Sequence, residues 1–418
     1  MKPRLVFTAE RPDEPAAPAP VVARGPLRHS AAARVFLRVL QLCALTGAGG
    51  RAHQLYAACV FLLTTTGAAF SVYWIVWRGL LLVETEGVVG AAARCGMFGL
   101  SEVLMWAPSV PCVCGGRRRY GAVLLTLERC LSPLVGRPGY RRPELSLRVQ
   151  VNWLLAVAAG LTLFTAANSM QFLLGAYQGI NFGPLSVSTA GVMGLAASFF
   201  AYATHFHLVS LKFVFAGAHV TTGFRFINQQ LQTSIEGKAQ LTPSALQELL
   251  ALHDRLSHAF TSLTSSMYYE LFIGMSYGTV SNISMWLLLI LTIPSGTLWQ
   301  HALMISQYVV GAGVAVVLPC ELTQRALAAV GETRDLLLTA ERRQPQLSQQ
   351  LGLFRETVGR DLQTFGDLGL FRLRRSTLLS ITATVLTYII VMVQFYGAAG
   401  PEVVCAAGPA NATEPVLH

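Results

Sequence analysis

Seven stretches of this chain stay apolar long enough to cross a bilayer as helices. They run approximately over 54–77, 87–111, 149–173, 186–215, 269–293, 302–324 and 376–398, and about 20 residues suffice for each crossing. After the fourth and sixth runs the pattern changes from continuous to striped. Thr242-Pro243 offers a capping hydroxyl and a proline for the first helical position, and beyond it Leu246, Leu250, His253, Leu256, Phe260 and Leu263 recur every three or four residues. Leu347, Leu351, Phe354, Val358, Leu362 and Phe365 do the same before the seventh run. Each stripe is backed by polar residues and predicts an amphipathic helix. Such helices either lie on the membrane surface or, the reading taken here, extend spans four to seven into a shared bundle on one side.

Composition agrees with the pattern. Hydrophobic residues make up 53% and charged residues 12%, about half the charged share of a soluble domain. The fold class expected is all-α, a polytopic membrane protein. Residues 8–26, rich in Pro and Ala, read as a disordered tail. The first apolar run begins too late, behind too polar a leader, for a cleaved signal peptide.

Charge gives the orientation. Of 31 Lys and Arg, all but Arg78 and Arg94 precede span one, follow spans two and six, or lie at the end of span four and after it. Cytoplasmic segments collect basic residues, so the N-terminus is expected inside and the C-terminus outside. The net charge of +10 is then a topology signal, and no nucleic acid partner is implied. The expected organisation is a cytoplasmic, partly disordered tail (1–52), spans one to four (53–215), a cytoplasmic helical loop (216–268), spans five and six (269–324), a second such loop (325–375), span seven (376–398) and an extracellular tail (399–418). Asn411-Ala412-Thr413 in that last tail is an N-glycosylation acceptor, so Asn411 is the candidate site of a glycoprotein.

Little else suggests chemistry. Cys405 is the one clearly external cysteine and lacks an external partner, so no disulfide framework is expected. Cys112 and Cys114 sit closer than zinc-binding pairs usually do and lack two further ligands, so no metal is expected. His205 and His207 lie on different faces of a helix and read as satisfied core residues. No nucleophile–base set emerges, so neither an enzyme nor a cofactor is expected.

Span seven carries the most informative face. Ser380, Thr384, Thr387, Val391 and Gln394 form one stripe, and Leu378, Leu379, Ile381, Leu386, Ile389, Ile390 and Met392 lie off it. Hydroxyls and an amide in hydrocarbon need partners or water. Taken alone, the stripe favours helix packing over a water-filled path.

Within that span, Thr387-Tyr388, five apolar residues and Gln394-Phe395 resemble the C-terminal signature of the insect gustatory receptor family. The resemblance implies a chemosensory, ligand-gated, non-selective cation channel in the plasma membrane of sensory neurons, with the inside-to-outside topology shared by odorant receptors. It implies four copies around a pore lined by span seven, with the two cytoplasmic loops forming an anchor where the copies meet. Thr384, Thr387 and Val391 would then line the path, Gln394 and Phe395 would gate it, and Tyr388 would brace the helix. The Asp-Arg-Tyr and Asn-Pro-x-x-Tyr motifs of G-protein-coupled receptors are missing.

The resemblance also implies a pocket for a small-molecule tastant in the outer halves of spans two to six. There the chain offers Asn168, Gln171 and Phe172, Asn282 and Trp286, and Ser306, Gln307 and Tyr308. Amides, hydroxyls and aromatic rings suit a polar organic ligand, and helix-packing polar residues have the same look. Arg94 and Glu102, costly in lipid, are expected to face the interior. Outside, Glu84, Glu86, Glu402 and Glu414 face one Arg78; they would draw cations inward, although exclusion of basic residues by topology explains much of the asymmetry. Expected partners are thus the tastant, permeating cations, membrane lipids, and further copies or related subunits. The alternatives are an odorant-receptor-type subunit needing a co-receptor and, from another class, a secondary transporter. The transporter is disfavoured because seven spans give no obvious inverted repeat.

The charge argument makes a direct prediction. An epitope tag after His418 should stain intact cells and a tag before Met1 should stain only permeabilised ones; the reverse pattern would overturn the orientation.

Overall fold

The computed structural model describes Leu27 and residues 30–47, 50–135, 137, 139–177, 189–237, 241–292, 298–369 and 371–398. The tail at 8–26, residues 178–188 between the expected spans three and four, and Asn411 lie outside them. Helices account for nearly all the described residues, and the sole strand-like feature among them is a single bridge between Asp367 and Arg372. Six helical stretches there are long and apolar enough to cross a membrane: Arg51–Leu81, Cys95–Leu134, Arg141–Met170, Gly191–Ile235, Tyr268–Ile290 and Ile305–Arg343. Arg375–Val391 is a shorter apolar helix in the place of the expected seventh.

Helix α1 (Ala31–Leu42) opens the described fold. The Ser30 hydroxyl caps it by accepting from Ala33 N at 3.0 Å, and it buries Ala33, Phe36 and Leu40, one face of the helix. Phe36 reaches Phe215 of a later span, ring centroids 5.1 Å apart, so part of the expected tail is structural. Helical backbone then runs over α2 (Arg51–Trp106), yet α2 is a hairpin. Trp106 Nε1 donates to Thr65 Oγ1 at 3.1 Å and Cys95 Sγ to the Ile75 carbonyl at 3.6 Å. In a straight helix, residues 41 apart would be about 60 Å apart. The reversal lies between Gly79 and Ala91, and helix continues where the sequence suggested a loop at 78–86.

The descending limb of α2 passes through the short turn α3 (Ser109–Pro111) and a π-turn (Cys112–Gly116) into α4 (Arg117–Leu131). Next come α5 (Arg141–Tyr177) and α6 (Thr189–Ile235). With 47 residues, α6 is roughly 70 Å long, more than twice the hydrocarbon thickness. Its buried residues, among them Tyr202, Phe206, Phe213, Phe215, Val220, Phe224 and Leu231, occupy every face. A helix apolar all round belongs inside a bundle, and α6 packs against α2, α5 and α10.

Helix α7 (Pro243–Ser266) starts as its sequence predicts, Thr242 Oγ1 accepting from Ala245 N at 3.2 Å. Then α8 (Tyr268–Thr292) precedes α9 (Leu298–Ala312), which continues through a π-turn (Gly313–Val317) into α10 (Leu318–Arg343). Helices α11 (Ser348–Thr364) and α12 (Arg375–Ala398) close the chain. The two amphipathic stripes meet in one core. His253 of α7 contacts Asp361 of α11 at 3.0 Å, its ring set between Phe224 and Phe354, and Phe260 packs on Phe365 at 4.9 Å.

Where α6 and α8 cross lies a buried ion pair. Lys212 Nζ is 2.6 Å from Glu270 Oε2, with both side chains shut off from solvent. Lys212 also donates to Cys112 Sγ at 3.3 Å and Cys112 to Glu270 Oε1 at 3.2 Å. Tyr120 donates to the Lys212 carbonyl at 2.6 Å and puts its ring 5.2 Å from the ammonium. Gly116 makes this junction possible, since a Cβ there would sit 2.6 Å from the Pro111 carbonyl oxygen and 2.8 Å from Glu270 Oε1.

Removing one charge strands the other away from water, at a cost of about 3–5 kcal/mol. Lys212→Met or Glu270→Met alone should therefore sharply lower the thermal midpoint of the detergent-solubilised protein. The double variant, which strands nothing, should recover most of the loss. A double variant as unstable as the sum of the singles would show that the pair acts independently of burial.

Candidate functional site

Of the eight sequence-predicted pocket residues, the helices bring two into contact, Asn168 and Gln307, and bury a third, Tyr308, in a separate cluster. Asn168 of α5 donates to Gln307 Oε1 of α9 at 3.4 Å and to the carbonyl of Phe164 at 3.0 Å. Gln307 Nε2 is buried without a hydrogen-bond partner among the described residues. Such a donor costs about 1–3 kcal/mol until something accepts from it. Tyr308 is buried beside Phe98, ring centroids 5.8 Å apart, in a small cluster with Met285 and Leu288.

The other five are placed differently. Asn282 donates to the Gly278 carbonyl of its own helix at 2.7 Å, Trp286 is exposed and Ser306 is half-buried. Gln171 and Phe172 lie on the described backbone of α5, but their side chains fall outside the described residues.

A polar layer next to Tyr308 was not legible as a unit. Ser101 and Ser284 oxygens are 3.0 Å apart across α2 and α8. Tyr202 of α6 donates to Glu102 and lies 3.2 Å from Ser71 Oγ, so Glu102 is held through α6, and Tyr202 in turn meets the other limb of α2. The acid in an apolar run was the available signal. Its partner, 100 residues on in sequence, had none. No lysine or arginine among the described residues forms an ion pair with Glu102, and the Arg94 side chain is outside them. His207 is buried edge-on to Phe206, and its ring nitrogens find no hydrogen-bond partner among the described residues. The expectation of a satisfied core histidine is not met there.

Helix α12 has three faces. Leu378, Ile381, Val385 and Ile389, three to four residues apart, are its more buried positions, and its neighbours are α8 and α10. On the far side Ser380, Thr384, Thr387, Val391 and Gln394 are all exposed. The Thr384 and Thr387 hydroxyls bond only back to the carbonyls of Ser380 and Ala383, at 2.9 and 3.0 Å. Leu379, Leu386, Ile390 and Val393 form a third face, exposed and apolar. Tyr388 is exposed, and the Phe395 side chain is outside the described residues. The polar stripe is therefore turned away from the rest of the chain and is not used in packing it.

No His, Cys, Asp or Glu grouping among the described residues could hold a metal ion. Residues 117–396 match the family model described as 7tm chemosensory receptor. No curated protein sequence matches significantly. Among solved structures, the chain is similar to the insect olfactory receptor OR5 from Machilis hrabei, with TM-score 0.63 and 13% identity over 87% of this chain and 98% of that one. The same receptor in complex with eugenol gives TM-score 0.63 and 14% identity over 86% and 96%. At such identity the likeness speaks to the fold.

The three faces of α12 can be separated by chemistry. Single cysteines at Thr384, Thr387 or Gln394 should react with a charged, membrane-impermeant maleimide, while cysteines at Val385 or Leu386 should not. Equal labelling of all five above the parent's background would remove the distinction between the faces.

Proposed function

This chain belongs to the 7tm chemosensory receptor family, and from that premise we propose that it is a gustatory-type receptor, a channel for cations opened directly by a small-molecule tastant. One observation carries the reading. The polar stripe of α12 faces out of a subunit whose other long helices are packed around α6. Such a face is unfavourable in lipid, and a closed ring of copies around a common axis would give it water instead. Four copies of this chain, or this chain with related subunits, would line the path with Thr384, Thr387 and Val391. Gln394 and Phe395 would form the outer constriction, with Tyr388 bracing the helix. The apolar third face would meet lipid or the next subunit.

The orientation is N-terminus inside, C-terminus outside with Asn411 glycosylated, in the plasma membrane of sensory neurons. The helix ends gathered around His253 and Asp361 would then be the cytoplasmic anchor. The tastant would bind beside α9, between the Asn168–Gln307 pair and the Tyr308 cluster. The unpaired Gln307 amide would donate to it, Phe98 and Tyr308 would stack on it, and Gln171, Phe172, Asn282, Trp286 and Ser306 would flank it. The similar receptor with eugenol bound supports a small organic ligand. An odorant-type subunit is the second reading, since both similar structures are olfactory receptors; the Thr387-Tyr388 to Gln394-Phe395 signature favours the gustatory type.

Expressed alone, with G-protein signalling blocked, the protein should give tastant-evoked cation current. A current that appears only with a co-receptor would favour the odorant type, and saturable uptake without current would favour a transporter. Tyr308→Ala should raise the half-maximal concentration about tenfold, the worth of one lost ring contact. Phe395→Ala should leak without ligand, because it removes an apolar plug, and Gln394→Ala should change conductance or ion preference. Well-expressed Gln394 and Phe395 variants that gate like the parent would take α12 out of the pore wall.

A further inference from the structure

A groove runs between α5 and α10 over the surface of α6, enclosing about 80 Å³. Its apolar part is made by Leu154, Ala218, Leu322 and the indole of Trp153, which is 55% exposed. One end turns polar, at Gln150, Glu321 and Arg325. The polar end continues past the groove, because Gln150 Nε2 lies 3.4 Å from Ser146 Oγ, which accepts from Arg225 at 3.2 Å. Arg225 is thus two hydrogen bonds beyond the groove, through Ser146, and Arg325 stands on the α10 wall. Glu321 is the carboxylate there, and it is already shared between Arg325 at 3.2 Å and Arg375 at 3.0 Å. Three arginines against one carboxylate leave the polar end with an excess of positive charge.

From this geometry we infer that the groove is a binding site for an anionic phospholipid, its acyl chain along Trp153 and Leu322 and its phosphate between Arg225 and Arg325. The volume admits a length of chain but no headgroup, and the arginines stand where a headgroup would emerge. A Trp beside an apolar crevice with arginines just past it is the order met on leaving hydrocarbon for the interface. Basic pockets between spans select acidic headgroups. The site lies in the inner leaflet on the orientation proposed above. A bound phosphate would draw Arg325 from Glu321 and leave that carboxylate to Arg375, the first residue of α12, so lipid occupancy and the setting of α12 share one acid.

The test uses the full-length chain purified in detergent with equal phosphatidylserine and phosphatidylcholine, read by native mass spectrometry. Phosphatidylserine should be retained in preference. Arg225→Gln and Arg325→Gln should each reduce that preference roughly fivefold, the worth of one basic residue near an anionic headgroup. The corresponding Lys variants should keep it, which separates loss of charge from loss of fold. Trp153→Ala should weaken retention of both lipids. Equal retention of the two lipids by the parent, or unchanged preference in the double Gln variant, overturns the site. So does displacement of the lipid by inorganic phosphate at equal concentration, since the acyl groove would then add nothing. Retention in detergent has no sidedness, so its failure leaves the channel reading standing, and a reversed tag pattern would move the site to the other leaflet without removing it.

Discussion

An ammonium and a carboxylate taken out of water together tolerate little relative movement, because any separation leaves each without its partner. Lys212 and Glu270 impose that restriction where the longest helix, α6, meets the start of α8. Their oxygen and nitrogen are also the partners of Cys112, so the π-turn joining the descending limb of α2 to α4 is fixed at the same point. Tyr120 and the bare Cα of Gly116 complete the junction. Buried ion pairs are poor sources of net stability. What this one supplies is position, setting three passes of the chain against one another near the boundary between the spans and the helix ends beyond them.

Most of the architecture could be read from local pattern. The spans are long apolar runs, and the Thr242-Pro243 start and both amphipathic stripes depend on residues within a turn or two of each other. What escaped the reading depends on distance in sequence. Nothing near residue 80 shows that α2 reverses without losing its helical backbone, and Phe36 announces a helix face only once Phe215 is seen beneath it. The extension of α6 past the membrane boundary was expected, but not the place where the boundary falls. A helix crossing from lipid into a protein core need not change its apolar character, so composition does not mark the crossing.

Legibility of the candidate site was uneven for a related reason. Asn168, Gln307 and Tyr308 stood out as polar or aromatic residues in apolar spans, and the fold pairs the first two and buries the third in a cluster of its own. Asn282 stood out equally but turns to its own helix. Pattern identifies which residues need partners and cannot say whether the partner is the next turn, another span or a ligand. Helix α12 is the opposite case. Its stripe was clear in the sequence, and the fold adds that this face is the one its own subunit leaves alone.

The length of α6 has a mechanical consequence. One unbroken rod of roughly 70 Å carries both Tyr202, the partner of Glu102, and Phe224, which packs on His253 roughly 33 Å further along. Pivoted at one end, such a rod converts a tilt of about 2° into a displacement of about 2 Å at the other, comparable to the interfacial helix shifts by which proteins switch. Displacement falls in proportion along the shaft, so packing halfway along would shift by about 1 Å. The filled core around α6 would have to yield along the shaft, and most at the end far from the pivot.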